Sequence, residues 1–287
     1  MANVRDIKNR IKSVQNIQQI TRAMKMIAAA RIKKVERMLR ARRPYCERLY
    51  EIIDEMTAEL EENTHPLLRI RGSGRKAGLL VISGDKGLCG SYNASIIRRA
   101  ERAMSSILGE EKSVVLYTAG LKAYRRFLRK KTPMEKHYAP WNPDEATSDD
   151  IANTLSEDYL AGKFDELNCI YTKSVSLLTR NVVVEQLFPI KSGDHETHGH
   201  KSFLFEPEPG KALEVILPMY IRENLMRILL DAKTSELSAR INAMANATEN
   251  AEKLVGELRL NYFRARQEAI TTEILEIVSG AESMKKA

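Results

Sequence analysis

The sequence is poor in the features that define several common protein classes. No apolar run reaches the roughly 18 to 20 residues that a helix needs to cross a bilayer, and no apolar signal core follows the N-terminus. We therefore expect a protein made in the cytosol that does not insert into a membrane. Three cysteines without a CxxC pair, Cys46, Cys89 and Cys169, argue against a disulfide framework or zinc site and favour a reducing compartment. Aromatic residues make up only 6%, which favours long helices over a β sandwich.

Positive charge is concentrated at the start of the chain. Residues 1–43 contain 13 lysine and arginine residues but only two acids, Asp6 and Glu36. Residues 47–62 reverse the sign, with seven acids against Arg48. The net charge of +8 is modest, so its uneven distribution indicates more about a binding partner than its size does.

Two long helices are predicted at the ends of the chain. In residues 1–62, apolar residues recur every three or four positions, as on one face of a helix. Residues 209–285 show the same period with many alanines. Pro44 and Pro218 are expected to kink these helices, or to interrupt them locally, rather than to end the pattern.

The segment between the helices, residues 76–206, has a different pattern. Short apolar runs alternate with helical stretches, which is typical of an α/β layer with an at least partly parallel sheet. The expected helices lie at 91–108, 119–130 and 147–162. The expected strands are Ala77–Ser83, Ser113–Thr118, Glu166–Lys173, Asn181–Leu187 and Lys201–Phe205. We expect the last two strands to form a hairpin across the polar loop 191–200.

The terminal helices are expected to pack on each other. Each has an apolar face that is not stable alone in water, and the folded segment between them makes an antiparallel coiled coil the natural arrangement. At 1.5 Å per residue the first helix, expected over residues 3–60, would be about 87 Å long and the second about 115 Å. The second would then project by roughly 28 Å, over residues 269–287, and its apolar side chains would need a sleeve from another protein.

Three sequence runs resemble the γ subunits of F-type ATP synthases. They lie in the order and at the spacing found in that family, and together they cover essentially the whole chain. The runs are IKNRIKSVQNIQQITRAMKMIAAARIKK at the start, SGDKGLCGSYN from Ser83 to Asn93, and SARINAMANATENAEKLVGELRLNYFRARQEAITTEILEIVSGA near the end. The resemblance implies an antiparallel coiled coil of the terminal helices with a Rossmann-like α/β domain at its base.

The resemblance also implies the role of a rotor shaft. In the family the coiled coil threads a ring of three α and three β subunits, one copy per complex, and the base sits on the c ring with ε alongside. Ion flow turns the c ring, and the shaft moves each β subunit through the states that make or hydrolyse ATP. This implies no catalytic site, cofactor or metal on the chain, and a peripheral location on the cytoplasmic side of a bacterial inner membrane. The basic first helix would complement an acidic lever segment of β.

By the same resemblance, two positions on the shaft face β. Met24 and Lys25 align with the position that faces the lever, and core packing in the coiled coil is the alternative role for Met24. Arg266 and Gln267 align with the contact to a polar catch loop on β, where a planar arginine would form releasable charge-assisted hydrogen bonds. Without the resemblance, these two residues would be interpreted as a solvated helix face. Arg240 is a weaker candidate of the same kind.

The resemblance assigns two further regions. Lys86, in the glycine-rich loop after the first strand, would lie near the β lever and contribute charge. Phe203, Phe205 and Glu206 align with the foot that meets the c ring. The alternative for the foot is an ordinary edge strand that ends at Pro207.

The residues alone leave other functions open. The loop after the first strand resembles a phosphate cradle, but its glycines are spaced GxxGxxG, and no GxxxxGK followed by Ser or Thr occurs. A DNA-binding coiled coil would explain the basic first helix, but the apolar stripe runs through the basic region and Tyr45 is the first aromatic residue. His195, His198 and His200 fit a polar loop better than a metal site, because no acidic or cysteine ligand set accompanies them.

Overall fold

The computed structural model of the chain describes residues 4–58, 65–69, 75–174, 179–190 and 209–285. Its helices are α1 (Val4–Ala58), α2 (Tyr92–Gly109), α3 (Leu121–Arg129), α4 (Glu145–Leu160) and α5 (Pro209–Lys285). Its strands are β1 (Lys76–Ile82), β2 (Ser113–Ala119), β3 (Lys136–Tyr138), β4 (Glu166–Ser174) and β5 (Arg180–Phe188). Among the residues described, no helix combines the length and the apolar character that crossing a membrane requires.

The terminal helices are long, with 55 residues in α1 and 77 in α5. Each remains helical through its internal proline, Pro44 or Pro218, although proline lacks the N–H that would bond to the carbonyl one turn earlier. Neighbouring side chains such as Cys46 and Leu217 are fully or almost fully buried. Tertiary packing of this kind supplies most of the stability of a helix in a protein, so one missing hydrogen bond does not end either element.

The chain forms two compact units. The central unit is Ala29–Arg240, and the terminal unit combines Met1–Ala28 with Ile241–Ala287. Both α1 and α5 contribute residues to each unit, whereas the sheet and the three shorter helices belong to the central unit.

The terminal unit is a pair of antiparallel helices. Val14 of α1 belongs to one buried cluster with Ala251, Val255 and Leu258 of α5. Seven residues further along α1, the hydroxyl oxygen of Thr21 lies 2.8 Å from the hydroxyl oxygen of Thr248. Residue numbers therefore rise along α1 as they fall along α5, and the predicted antiparallel pairing of the terminal helices is confirmed.

The central unit contains a five-stranded sheet in the order β3-β2-β1-β4-β5. The first four strands in this order are parallel, and Leu79 of β1 lies opposite Leu116 of β2 and Asn168 of β4. β5 pairs antiparallel with β4. The mostly parallel sheet with helical crossovers confirms the Rossmann-like α/β prediction.

The sheet differs from the predicted one at the edge formed by β3. β3 is not predicted by the sequence pattern, because its three residues KHY show no apolar run, and its pairing with β2 creates it. Within the residues that the structure describes, the strand at the opposite edge is β5, which pairs with β4. The predicted strand Lys201–Phe205 and the loop 191–200 lie outside the described residues.

Different helices cover the two faces of the sheet. On one face, Leu79 and Leu116 pack with side chains of α2 and α3, including Phe127. On the other face, Leu80 and Tyr117 pack with α4 and with the parts of α1 and α5 that belong to the central unit. Successive side chains of a strand point to opposite faces, so the continuous apolar run of β1 contributes to both cores.

A buried ion network joins α5 to β4 and β5. The Arg227 side chain is only 14% exposed and forms ion pairs with Glu185 of β5 and Asp231 of α5. Its guanidinium also donates a hydrogen bond of 2.7 Å to Oδ1 of Asn224, and the Tyr171 hydroxyl of β4 donates to Glu185. Burial raises the pKa of Asp231, while the positive charge of Arg227 acts in the opposite direction.

The three cysteines are free and buried, which leads to a prediction about their reactivity. Burial raises the pKa of Cys46 to about 11, and it also raises the pKa of Cys89 and of Cys169. Only the thiolate is reactive, so roughly one Cys46 in a thousand is competent at pH 8. We expect DTNB to modify the folded chain slowly at pH 8 and faster as the pH approaches 11. In guanidinium chloride all three thiols should react at once, and a folded chain that reacts equally fast would contradict this placement.

Candidate partner-binding site

The loop from residue 83 to residue 91 lies at the carboxyl end of β1, beside the end of β2. The Ser83 N–H donates to the Ala119 carbonyl at 2.7 Å, and its Oγ accepts a 2.9 Å hydrogen bond from the N–H of Ala123. The indole Nε1 of Trp141 donates to the Ser83 carbonyl at 2.8 Å. The start of the loop is therefore fixed from three directions.

Asp85 occupies the position that a bound anion would take at the start of α3. Its Oδ1 accepts a 3.0 Å hydrogen bond from the N–H of Leu121, and its Oδ2 accepts one of 3.2 Å from the N–H of Trp141. Gly120 is the N-cap of α3 and has no side chain that could accept a hydrogen bond. The carboxylate of Asp85 accepts one from the first turn of the helix instead. A carboxylate at this point repels phosphate, which argues against the phosphate-cradle interpretation of the loop.

Asn93, in the first turn of α2, closes the loop. Its Oδ1 accepts a 2.8 Å hydrogen bond from the N–H of Gly84, and its Nδ2 donates to the Lys86 carbonyl at 3.3 Å. This cross-bracing leaves the Lys86 side chain exposed. It also leaves Leu88 exposed, with a positive φ of 61°. The loop therefore presents a cation and an apolar side chain to solvent on a constrained backbone.

A buried carboxylate supports the loop from α5. The Glu236 side chain is 3% exposed and accepts hydrogen bonds from Arg240 Nη2 at 2.6 Å and from Lys233 Nζ at 3.0 Å. Arg240 also donates to the Gly87 carbonyl at 3.3 Å. Glu236 and Lys233 were not predicted from the sequence, although an acid with bases three and four positions away on one helix is a pattern that could have indicated them.

The structure brings together two of the predicted contact residues. Arg240 donates a hydrogen bond to the carbonyl of Gly87, the residue after Lys86. The Arg240 side chain is only 12% exposed because it is held by Glu236. Arg240 therefore positions the loop from inside.

The other predicted contact residues lie in the terminal unit or outside the described part of the chain. Met24 is half-buried, while Lys25, Arg266 and Gln267 are exposed. The Thr21–Thr248 pair places Met24 beside residue 245, so the two predicted contact positions are separated by about 32 Å along α5. The predicted foot and the histidine cluster lie among residues that the structure does not describe: Phe203, Phe205, Glu206, His195, His198 and His200.

The last part of α5 exposes an apolar surface. Val4 is 17 residues before Thr21, and 17 residues after Thr248 is Ala265, so the described part of α1 extends beside α5 to about Ala265. Beyond that point, five large apolar side chains are between 45% and 71% exposed. They are Ile270, Ile274, Leu275, Ile277 and Val278. So much exposed apolar surface on one helix indicates a partner.

Sequence comparison finds relatives along the whole chain. The family described as ATP synthase matches residues 3–284. The ATP synthase gamma chain of Geobacter sp. (strain M21) is 39% identical over 289 residues, covering 99% of this chain and 100% of that protein. The ATP synthase gamma chain of Moorella thermoacetica is 40% identical over 287 residues with the same coverage. The chain belongs to the ATP synthase gamma chain family.

Solved structures share the fold at lower identity. A chain of the Euglena gracilis mitochondrial ATP synthase superimposes with a TM-score of 0.69 at 16% identity, covering 98% of this chain and 94% of that one. A chain from the central stalk and c ring of the Tetrahymena thermophila mitochondrial ATP synthase gives a TM-score of 0.59 at 23% identity, covering 79% and 99%. The family membership makes this chain a subunit of an enzyme complex. It favours that role over a separate nucleotide-binding enzyme or a DNA-binding coiled coil.

Proposed function

We propose that this chain is the central shaft of an F-type ATP synthase. In this role it couples ion flow through the c ring to ATP synthesis or hydrolysis at the β subunits, and it regulates the ATPase activity of the ring. The observation that carries the proposal is the exposed apolar end of α5, which continues an antiparallel helix pair in a member of this family. ATP chemistry stays on the β subunits, so the chain needs no catalytic site or cofactor of its own.

The physical chemistry of the terminal unit suits a rotating part. Two packed helices resist bending and twisting better than one, which a part that transmits torque requires. The exposed side chains of the last turns are mostly aliphatic, and contacts between aliphatic surfaces have no preferred direction. An apolar sleeve formed by the α and β subunits could then hold the helix end while leaving few directional hydrogen bonds to break at each step.

The polar contacts that we propose between this chain and β involve three different segments. Exposed Lys25, with Met24 beside it, is proposed to face the acidic lever of β. Lys86 adds a second positive charge for the same segment, presented by the constrained loop and supported by Arg240. Arg266 and Gln267 are exposed near the start of the apolar end and are proposed to bind the polar catch loop of β.

The proposed base of the shaft completes the assembly. Phe203, Phe205 and Glu206 are proposed to contact the c ring, with ε alongside and one copy of the chain in each complex. The complex would place this chain peripherally, on the cytoplasmic side of a bacterial inner membrane.

A reconstitution experiment tests the proposed function. When the purified chain is mixed with the matching α and β subunits, we expect one copy to join each ring of three α and three β subunits. The ATPase rate should rise at least tenfold over that of the α and β mixture, because the shaft makes the β subunits change state in sequence. Native mass spectrometry measures the stoichiometry, and a coupled assay measures the rate.

The end of α5 provides the control for that experiment. A variant with Ile274→Ser and Ile277→Ser removes exposed apolar surface and should dissociate faster from the ring. A variant with Glu268→Gln and Glu273→Gln changes two charged residues in the same region and should dissociate at nearly the original rate. Stable rings that exclude the unmodified chain at every salt concentration would overturn the proposal.

A further inference from the structure

The helices α2 and α3 carry an unusual concentration of positive charge. Together with the two residues that follow each helix, they contain nine lysine and arginine residues and three acids. Of these acids, Glu101 lies within α2, and Glu110 and Glu111 lie past its end, where Glu110 pairs with Lys112. A surface that only has to remain hydrated is served equally well by charges of mixed sign, which repel each other less. A surface of one sign therefore indicates a partner of the opposite sign.

Glu101 neutralises only part of this charge. It accepts hydrogen bonds from Arg126 at 2.9 Å and from Lys130 at 2.8 Å. The remaining basic side chains that are exposed define the α2–α3 basic face: Arg98, Arg99, Arg102, Arg125, Arg129 and Lys131. Within the described part of the chain, no carboxylate lies within salt-bridge distance of these six residues.

Two exposed leucines accompany the charges. Leu128 is 53% exposed and lies between Arg125 and Arg129 on the surface of α3, and Leu108 is 58% exposed near the end of α2. Basic residues mixed with exposed aliphatic side chains are typical of surfaces that bind at the membrane–water interface, where cations meet headgroups and aliphatic groups enter the layer below.

The shape of the α2–α3 basic face favours a broad partner over a narrow one. The two helices lie side by side on the same face of the sheet, as the Glu101 contacts to α3 show. With 18 residues, α2 is about 27 Å long. Three of the six basic residues belong to α2, and the other three lie on α3 or directly after it, so the charge is divided between the two helices. Such a distribution suits negative charge that is spread over a plane.

We propose that the α2–α3 basic face binds the phosphate-bearing headgroups of an anionic membrane surface. Five of its six residues are arginines, whose planar guanidinium groups bind phosphate oxygens in pairs. The proposed shaft function assigns no role to this face. The inference therefore goes beyond that function and does not depend on it.

Vesicle binding by the full chain tests the inference. We expect the chain to co-sediment with vesicles of phosphatidylcholine that contain phosphatidylglycerol, and not with vesicles of phosphatidylcholine alone. A variant with Arg98→Gln, Arg102→Gln, Arg125→Gln and Arg129→Gln should bind the anionic vesicles at least tenfold more weakly, since each basic residue near such a surface adds to the attraction. If this variant is poorly folded, the pair Arg125→Gln and Arg129→Gln should still weaken binding about tenfold.

The basic segment of α1 makes a matched control necessary. A variant with Arg10→Gln, Lys12→Gln, Arg22→Gln and Lys33→Gln removes the same number of charges from exposed positions of α1. Its affinity for the anionic vesicles should change less than threefold. An equal loss in both variants would indicate diffuse attraction to the whole chain and would overturn the inference.

Two further outcomes would also overturn it. If the α2–α3 variant binds anionic vesicles as tightly as the unmodified chain, the α2–α3 basic face does not bind the membrane, and an acidic protein becomes the expected partner. Inorganic phosphate, compared with chloride at equal ionic strength, should not displace the chain from vesicles. Displacement by phosphate at the concentration of the lipid headgroups would mean that the face binds a soluble ion and not a membrane.

Discussion

The Gly120→Ala variant is expected to lose at least about 3 kcal/mol of the unfolding free energy of the central unit. Gly120 has a φ of +101°, a conformation that side chains disfavour. A Cβ atom at this position would lie 2.1 Å from the carbonyl oxygen of Ser83. Ser83 cannot move away easily, because it is bonded to Ala119, Ala123 and Trp141.

The only tryptophan of the chain, Trp141, reports on this variant directly. It is 1% exposed and bonded to Ser83, so its fluorescence should follow unfolding of the central unit in urea. Gly109→Ala is the matched control, because nothing lies within 4 Å of the position of its added Cβ. That change should alter the unfolding free energy by less than about 1 kcal/mol, toward greater stability. Equal midpoints for the two variants would show that the close approach at Gly120 is not maintained.

The close contact between Gly120 and Ser83 also matters for the proposed contact with β. Gly120 allows the end of β2 to lie against Ser83, from which the loop with Lys86 begins. Asp85 in that loop caps α3 directly after Gly120. A displaced Gly120 should therefore also release the constrained loop, so Gly120→Ala is expected to reduce activation of the ring even where the variant remains folded.

The fold was predictable where the apolar period was long. The period of three to four residues persists over dozens of residues in both terminal helices, and each turn repeats the same information. The strands β1, β2, β4 and β5 were predictable from their apolar runs, which are buried along most of β1 and β4 and at the ends of β2 and β5. β3 was not, because three residues carry too short a pattern and exist as a strand only through their partner, β2.

The candidate site was less predictable because it depends on which charges are buried. The sequence predicts both Lys86 and Arg240 as contact residues, but the structure exposes the Lys86 side chain and buries the Arg240 side chain beside Glu236. Amino-acid type and spacing do not distinguish a solvated arginine from a desolvated one. That difference depends on contacts with residues that are distant in the sequence as well as near, such as the hydrogen bond of Arg240 to the carbonyl of Gly87.

The role of the glycine-rich loop was also not predictable from its motif. Its glycines suggested a phosphate cradle, but the decisive residue is Asp85, which bonds to Leu121 and Trp141. Both partners are distant from Asp85 in the sequence. The motif alone therefore does not show that Asp85 already accepts a hydrogen bond from the N–H at the start of α3. Glycines in a strand-to-helix turn indicate a tight backbone, and a ligand is only one of the reasons for it.

Replacing the buried arginine of the network between α5 and the sheet should have an effect as large as that of Gly120→Ala. The Arg227→Met variant is expected to lose about 3–5 kcal/mol of unfolding free energy, because it leaves the carboxylates of Glu185 and Asp231 without their buried cation. Arg222→Met is the matched control. Arg222 pairs with Asp149 at 2.9 Å, but its side chain is 48% exposed, so the loss should stay below about 1 kcal/mol.

The pH dependence separates this mechanism from a simple packing defect. Burial already raises the pKa of Asp231, and Arg227 opposes that shift, so removing Arg227 should raise the pKa further. A carboxyl whose pKa is higher in the folded state binds its proton more tightly when folded, and stability then increases as the pH falls through that pKa. The deficit of Arg227→Met should therefore shrink from pH 8 to pH 5, whereas a cavity would cost the same at both. If urea midpoints followed by Trp141 fluorescence show a constant deficit, the charge of Arg227 is not what holds α5 to β4 and β5. If the deficit shrinks, the joint between the long helix and the sheet is electrostatic, and it is a joint through which a rotating shaft would have to transmit its torque.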